Sequence, residues 1–352
     1  MEFTAKRKYY QIRFGIGVAL LAVLIVVALN CGVARISVGQ SLRIIASRIP
    51  GLNHWIPVYD IDRSAVTILL NLRLPRILLA LVAGAGLAVA GAAFQGIFKN
   101  PMAEPYVLGI SSGTALGAAL AMAMGLEANL MGFGLITFSA FVAGLITAMT
   151  VYRIARIGRK TPTVTLLLSG IAVNFFLTAS ISLIMTFKRE QIERIVMWTM
   201  GSVAAANWTE VLMVSPLVLL ATGVLSIYSR DLNLVLLGDE TAQSLGVEVE
   251  KVKRAILGVS TLLVAAIVSV SGIIGFVGLI VPHMVRILCG PDHRAVIPFS
   301  ALGGAALLIG CDTLARTLVP PSEIPVGIIT SLFGVPFFLY LLVKGKKKVF
   351  YE

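Results

Sequence analysis

The chain has 352 residues, 58% of them hydrophobic and only 13% charged, with a mean hydropathy of +0.94. A soluble domain of this length could not bury so much apolar surface, so a soluble globular enzyme is excluded and lipid must cover much of the chain. The net charge of +12 does not point to nucleic acid, because the Lys and Arg residues lie between apolar runs, where topology and anionic lipid account for them.

A spanning helix needs about 20 largely apolar residues. The first candidate is Phe14–Ala34, between Arg13 and Arg35. Basic residues precede it, as in a signal peptide, but it exceeds an h-region of about 7–15 residues and no small-x-small cleavage site follows. An uncleaved first helix is expected over 14–34. An external loop, 35–76, comes next and carries Trp55, Pro57, Asp60 and Asp62. The runs Ile77–Phe98, Val107–Leu126, Leu130–Tyr152, Val164–Phe187 and Val211–Ser229 place helices two to six in 77–229. Within that stretch the loop Lys188–Glu210 has an apolar patch, Ile195–Met200, that suits a short helix at the interface.

Residues 230–254 form a polar interruption containing Gly238, Asp239, Glu240, Thr241, Ala242, Gln243, Ser244, Leu245 and Gly246. Asp239 and Glu240 suit a helix N-terminus, where the macrodipole favours negative charge, and Gly246 suits its stop. A helix of about two turns is expected there. From Ala255 to Val285 there is no Lys, Arg, Asp or Glu, which is too long for one comfortable span. Gly272, Gly275 and Gly278 offer a break, so two helices are expected. Ala295–Cys311 and Ile324–Val343 complete the set in 255–343.

Ten spans with the N-terminus inside put the majority of the 29 basic residues on one face, including Lys344, Lys346, Lys347 and Lys348. One span over Ala255–Val285 would put that last cluster outside. The expected fold class is an all-α polytopic membrane protein of ten transmembrane helices with both termini cytoplasmic, one transmembrane domain over 1–352. Glycines at 84, 86, 91 and 96, a Gly113/Gly117 pair and Gly303-Gly304 let helix backbones approach closely in lipid.

Chemistry is sparse. The cysteines at 31, 289 and 311 and the histidines at 54, 283 and 293 have no metal-ligand or redox spacing. His283, after Pro282, suits helix packing. Gly158-Arg-Lys-Thr161 lacks the earlier glycine and the strand of a phosphate loop. Any ATP is therefore bound by another chain. An ion-coupled secondary transporter would keep acids at mid-membrane, and an intramembrane enzyme would cluster His, Asp, Glu or Cys there. Neither pattern is present.

Several stretches together resemble a known family: Leu72-Arg-Leu-Pro-Arg76, Phe98-Lys-Asn-Pro-Met-Ala-Glu-Pro105, Leu108-Gly-Ile-Ser-Ser-Gly113, Leu237–Gly246, Gly275-Phe-Val-Gly-Leu-Ile-Val-Pro-His283 and Glu323-Ile-Pro-Val-Gly327. In order and spacing the chain is similar to the permeases of type II ABC importers for iron–siderophores, haem and vitamin B12, over roughly 72–344. The resemblance implies a homodimer in a bacterial or archaeal plasma membrane. Two ATPase subunits would bind ATP and Mg below it, and an extracytoplasmic solute-binding protein would dock above. It implies docking on Arg73, Arg76 and Arg316 at the outer mouth, ATPase coupling through Gly238–Gly246, and a cytoplasmic gate at Asn100, Pro101, Met102, Thr161 and Thr163. Pro162 stands where that family often has Ser or Thr. Ser169, Asn174 and Thr178 of the fifth span would line the pathway, as mildly polar walls to which a bulky chelate does not stick. A ferric siderophore or haem is the expected cargo, with a corrinoid as the alternative; a zinc or manganese permease would show other motifs.

Overall fold

In the computed structural model, which describes residues 2–32, 34, 36–48, 61–126, 128–130, 133–158 and 160–349, the chain is almost wholly helical. His54, Trp55, Pro57 and Asp60 of the external loop, and Arg35 and Arg159, lie outside the described residues. In chain order the helices are α1 (Glu2–Asn30), α2 (Val38–Ala46), α3 (Arg63–Thr67), α4 (Leu74–Ile97), α5 (Ile110–Ala123), α6 (Leu135–Ala155), α7 (Thr163–Phe187), α8 (Ile192–Thr199), α9 (Trp208–Ile227), α10 (Ser229–Leu236), α11 (Asp239–Ser244), α12 (Val249–Ser271), α13 (Val277–Cys289), α14 (His293–Ala315) and α15 (Val326–Val349). Strands β1 (Asn129–Leu130) and β2 (Phe133–Gly134) pair as a small antiparallel hairpin before α6.

Seven stretches are long and apolar enough to cross a bilayer: Lys8–Asn30, Arg63–Ile97, Leu135–Ala155, Thr163–Phe187, Trp208–Ile227, Val249–Ser271 and His293–Ala315. Ile110–Ala123, Val277–Cys289 and Val326–Leu341 are shorter apolar helices. The expected two helices in Ala255–Val285 are present as α12 and α13. They part at Gly272, whose φ of +66° is a conformation side chains avoid.

Several boundaries differ from the sequence reading, among them the first helix, expected over 14–34 and found at Glu2–Asn30. The external loop 35–76 is not a plain loop: Ser37 and Gln40 form a capping box that starts α2, and Asp62 caps α3. From Arg63 the chain stays helical through a π-helical stretch, Ile68–Arg73, into α4, because Leu69 and the residues beyond it pack on the core. The interruption 230–254 is mostly helix. α12 begins at Val249, since charged residues in its first turn extend it beyond the apolar stretch. The fourth span starts at Leu135 because the hairpin takes up Asn129–Gly134.

α4 is the hub. Its spanning stretch is the most enclosed of the seven, and it packs against α14, α13, α12 and α9. Close approach explains its glycines: a methyl group on Gly84 would run into the backbone of Gly304 on α14, and one on Gly91 into Gly278 on α13. α1, α6, α7 and α9 leave most of their spanning surface exposed. A central helix built of small residues inside a ring of bulky, outward-facing ones is what packing in lipid favours.

Candidate functional site

The polar groups gather at three levels. At one end of the bundle, α11 projects between α10 and α12, started by Asp239 and Glu240 and stopped at Gly246, where φ is +87°. Asp239 Oδ1 accepts from Lys99 Nζ at 2.7 Å and its Oδ2 from Lys253 Nζ at 2.6 Å. One carboxylate thus ties α11 both to the N-terminal part of α12 and to the turn that ends α4. Burial raises the Asp239 pKa, but the hydrogen bonds and charges of Lys253 and Lys99 outweigh it and hold the carboxyl below its ordinary value.

The residues expected at a gate converge on the same place. Lys99 precedes Asn100 and has φ of 49°, and Asn100 Oδ1 accepts from Met102 N at 2.9 Å, so Asn100-Pro101-Met102 is a turn braced by its own side chain. Thr161 and Thr163 border a small cavity shared with Ile97, Phe98 and Lys253. The structure therefore brings the end of α4, the start of α7 and the start of α12 together around one polar edge.

The middle level is the interruption between α12 and α13. A broken helix leaves backbone groups that must find partners away from water. Ser271 O accepts from Ser202 N at 2.7 Å, Phe276 N donates to Glu104 Oε1 at 2.8 Å, and Ile274 O accepts from the Tyr106 hydroxyl. Gly327 N donates to Gly201 O at 3.2 Å, so the segment after α8 is clamped between the break and the start of α15. Below the break, Gln95 Nε2 donates to Leu279 O at 3.1 Å and its Oε1 accepts from Arg286. Arg286 also reaches Ala92 O at 3.3 Å and lies 3.4 Å from His293 Nε2. Sequence reasoning missed Glu104, Tyr106, Gln95 and Arg286. The available signal was an acid beside Pro105 in an otherwise apolar neighbourhood.

The pathway candidates separate. Ser169 is buried, Asn174 is exposed and accepts a hydrogen bond from the Ser112 hydroxyl, and Thr178 is exposed. The three do not enclose a tunnel within one chain. α7 packs on one side only, against α5 and α6, and presents Phe175 and Phe176 at 71% exposure on the other.

The outer level requires a correction. Arg73, Arg76 and Arg316 were expected to face the outside mouth, and all three are buried. Arg76 Nε lies 2.9 and 3.1 Å from the two oxygens of Asp312, and its Nη1 lies 2.8 Å from Glu323 Oε2. Arg73 Nη1 donates to Leu29 O at 2.8 Å and its Nη2 to Ala34 O, and Arg316 Nη2 donates to Ala28 O at 2.6 Å. Arg316 is 3.9 Å from Asp312, one turn earlier on the same helix. The reason is physical. α1 ends at Asn30 with carbonyls that lack intrahelical partners, and guanidinium groups satisfy them better than water can reach them. Asp312 and Glu323 supply the balancing charge.

A helical bundle of apolar stretches long enough to span a bilayer, with a broken helix at its centre, is the architecture of a polytopic membrane protein. The comparisons agree. The FecCD transport family model matches residues 20–344. The chain is 45% identical over 284 residues to the cobalamin import system permease protein BtuC of Halobacterium salinarum, covering 81% of this chain and 75% of that one. It is 43% identical over 281 residues to the hemin transport system permease protein HmuU of Yersinia pestis (79% and 84% covered) and 36% identical over 348 residues to the Fe(3+)-citrate import system permease protein YfmD of Bacillus subtilis (98% and 99% covered). A metal-chelate type ABC transporter solved in an inward-facing conformation superposes with a TM-score of 0.79 at 33% identity, over 95% of this chain and 99% of that one. The chain belongs to the FecCD transport family and is a multi-span ABC importer permease of the plasma membrane.

Proposed function

We propose that this chain forms the membrane half of an ATP-driven importer that moves a metal chelate, foremost a ferric siderophore or haem, into the cytoplasm. The observation that carries this reading is the Asp239 bridge. A short projecting helix is pinned at once to the turn ending α4 and to α12, so displacement of α11 is delivered to both. That is the connection a soluble motor needs to work a gate. In this reading Gly238–Gly246 couples to one of two ATPase subunits, which bind ATP and Mg. Asn100, Pro101, Met102, Thr161 and Thr163 form the cytoplasmic gate.

The seven long apolar stretches and the three shorter ones together support ten spans in a single permease domain, with both termini cytoplasmic. The uncovered face of α7, with Thr178 and the Asn174–Ser112 pair, supports a homodimer whose two copies enclose the pathway. An extracytoplasmic binding protein docks on the outer face. In this reading Arg73, Arg76 and Arg316 meet it by exchanging their internal partners, the carbonyls ending α1 and the carboxylates of Asp312 and Glu323, for acids of the binding protein.

A corrinoid remains the second reading, supported by the 45% identity to a cobalamin permease. Reconstitution with the cognate ATPase and binding protein in vesicles tests both. Nucleotide-dependent uptake of a labelled ferric siderophore or haem supports the first reading, and uptake of labelled cyanocobalamin alone supports the second. Uptake of either without nucleotide hydrolysis refutes the ATP-driven mechanism.

A further inference from the structure

A cleft of about 420 Å³ opens where α9 and α10 meet the start of α14, lined by Ser226, Ser229, Arg230, His293, Arg294 and Pro298. Arg230 and Arg294 are exposed there, and neither has a carboxylate partner among the described residues. Asp292, two residues before Arg294, does not border the cleft, and its Oδ1 accepts from Asn233 Nδ2 at 2.6 Å and from Arg294 N at 2.9 Å. The His293 ring is likewise engaged, with Asn233 Oδ1 at 2.8 Å on one side and Arg286 on the other. Asp231, on the first turn of α10, does not border the cleft. The lining thus presents two guanidinium groups with unused donors and no carboxylate. Guanidinium is the group best matched to the oxygens of a phosphate.

A second observation says what kind of phosphate. α9 leads to this cleft with an uncovered apolar stripe, Leu212, Leu219, Leu220 and Ile227, exposed by 68, 73, 69 and 78%. Their spacing keeps them on one side of the helix, and Ile227 sits at the rim of the cleft. An apolar track about 15 residues long that ends at a pair of unpartnered arginines has the shape and charge order of a phospholipid, chains along the track and phosphate at its end.

We propose that this cleft binds the headgroup phosphate of an anionic glycerophospholipid whose acyl chains lie along α9. The site rests on the chain being a membrane protein and not on what it transports, so its test is independent of cargo. The purified importer complex is incubated with phosphatidylglycerol or phosphatidylcholine and bound lipid is counted by native mass spectrometry. Phosphatidylglycerol is retained in preference. Exchange of both arginines (Arg230→Gln with Arg294→Gln) reduces that preference about thirtyfold, and each single exchange about fivefold, from the roughly 1 kcal/mol that one basic group contributes near an anionic surface. Arg153→Gln with Arg156→Gln, which removes equal charge at the end of α6, leaves it unchanged. Equal retention of the two lipids, no effect of the Arg230 and Arg294 exchanges, an equal loss from the α6 pair, or full displacement by inorganic phosphate would each overturn the proposal. The singles keep the test informative if the double variant fails to elute as a folded complex.

Discussion

Asp312 offers the sharpest test of how the outer end is held. It is 1% exposed and lies within hydrogen-bonding distance of Arg76 through Nε and, at 2.9 Å, Nη2. Asp312→Ala leaves Arg76 with Glu323 alone and removes the only carboxylate recorded within ion-pair distance of Arg316 among the described residues. Breaking a buried pair costs about 3–5 kcal/mol, because the remaining charge keeps its desolvation penalty. Glu323 stays 2.8 Å from Arg76 and, although its side chain is 43% exposed and partly screened, keeps that guanidinium from being stranded outright. The lower end, about 3 kcal/mol, is therefore expected. If all of it appears in the unfolding barrier, inactivation accelerates by up to about a hundredfold. The assay is the half-life of monodisperse permease in detergent at fixed temperature, followed by size exclusion. The double variant Arg76→Met with Asp312→Leu replaces the pair by apolar groups and recovers the part of the loss due to Arg76, while Arg316 still lacks its carboxylate. If Asp312→Ala decays within twofold of wild type, or the double variant decays as fast as the single, the internal brace is refuted. A set of charges kept only for a binding protein would give the first result, with weaker docking instead.

Asp239→Asn should leave the fold intact but weaken transport more than ATPase association, with the exposed Lys99 bridge contributing no more than about 1 kcal/mol to stability. Because the folded Asp239 carboxyl is held below its ordinary value, its contribution is complete above about pH 4 and disappears as pH falls through the folded value. Melting curves of the variant and wild type should therefore converge only in strong acid. Glu104→Ala strands the Phe276 N–H at a cost of about 1–3 kcal/mol, and hydrogen exchange should report faster opening at residues 273–277, whereas Glu104→Gln keeps an acceptor and should be nearly silent. Gly91→Val forces α4 away from α13 against the Gly278 backbone, costs about 1–3 kcal/mol by overpacking, and should reduce the yield of monodisperse protein, while Gly15→Val, with open space around it, should not.

The sequence alone determined the membrane class, the approximate places of the apolar helices, a break among Gly272, Gly275 and Gly278 and the short helix at Asp239–Gly246. Each of these is a local property: an apolar run matched to bilayer thickness, a glycine that permits left-handed backbone, acids placed at a helix start. Tertiary structure decided the partners. Arg76 finds Asp312 across 236 residues and Tyr106 finds Ile274 across 168, and no period or spacing encodes such a meeting. It also reversed the expected exposure of Arg73, Arg76 and Arg316. A charged side chain next to an apolar run is equally compatible with a headgroup, a docking partner or an internal carbonyl, and only the fold, by ending α1 beside them, selects among the three.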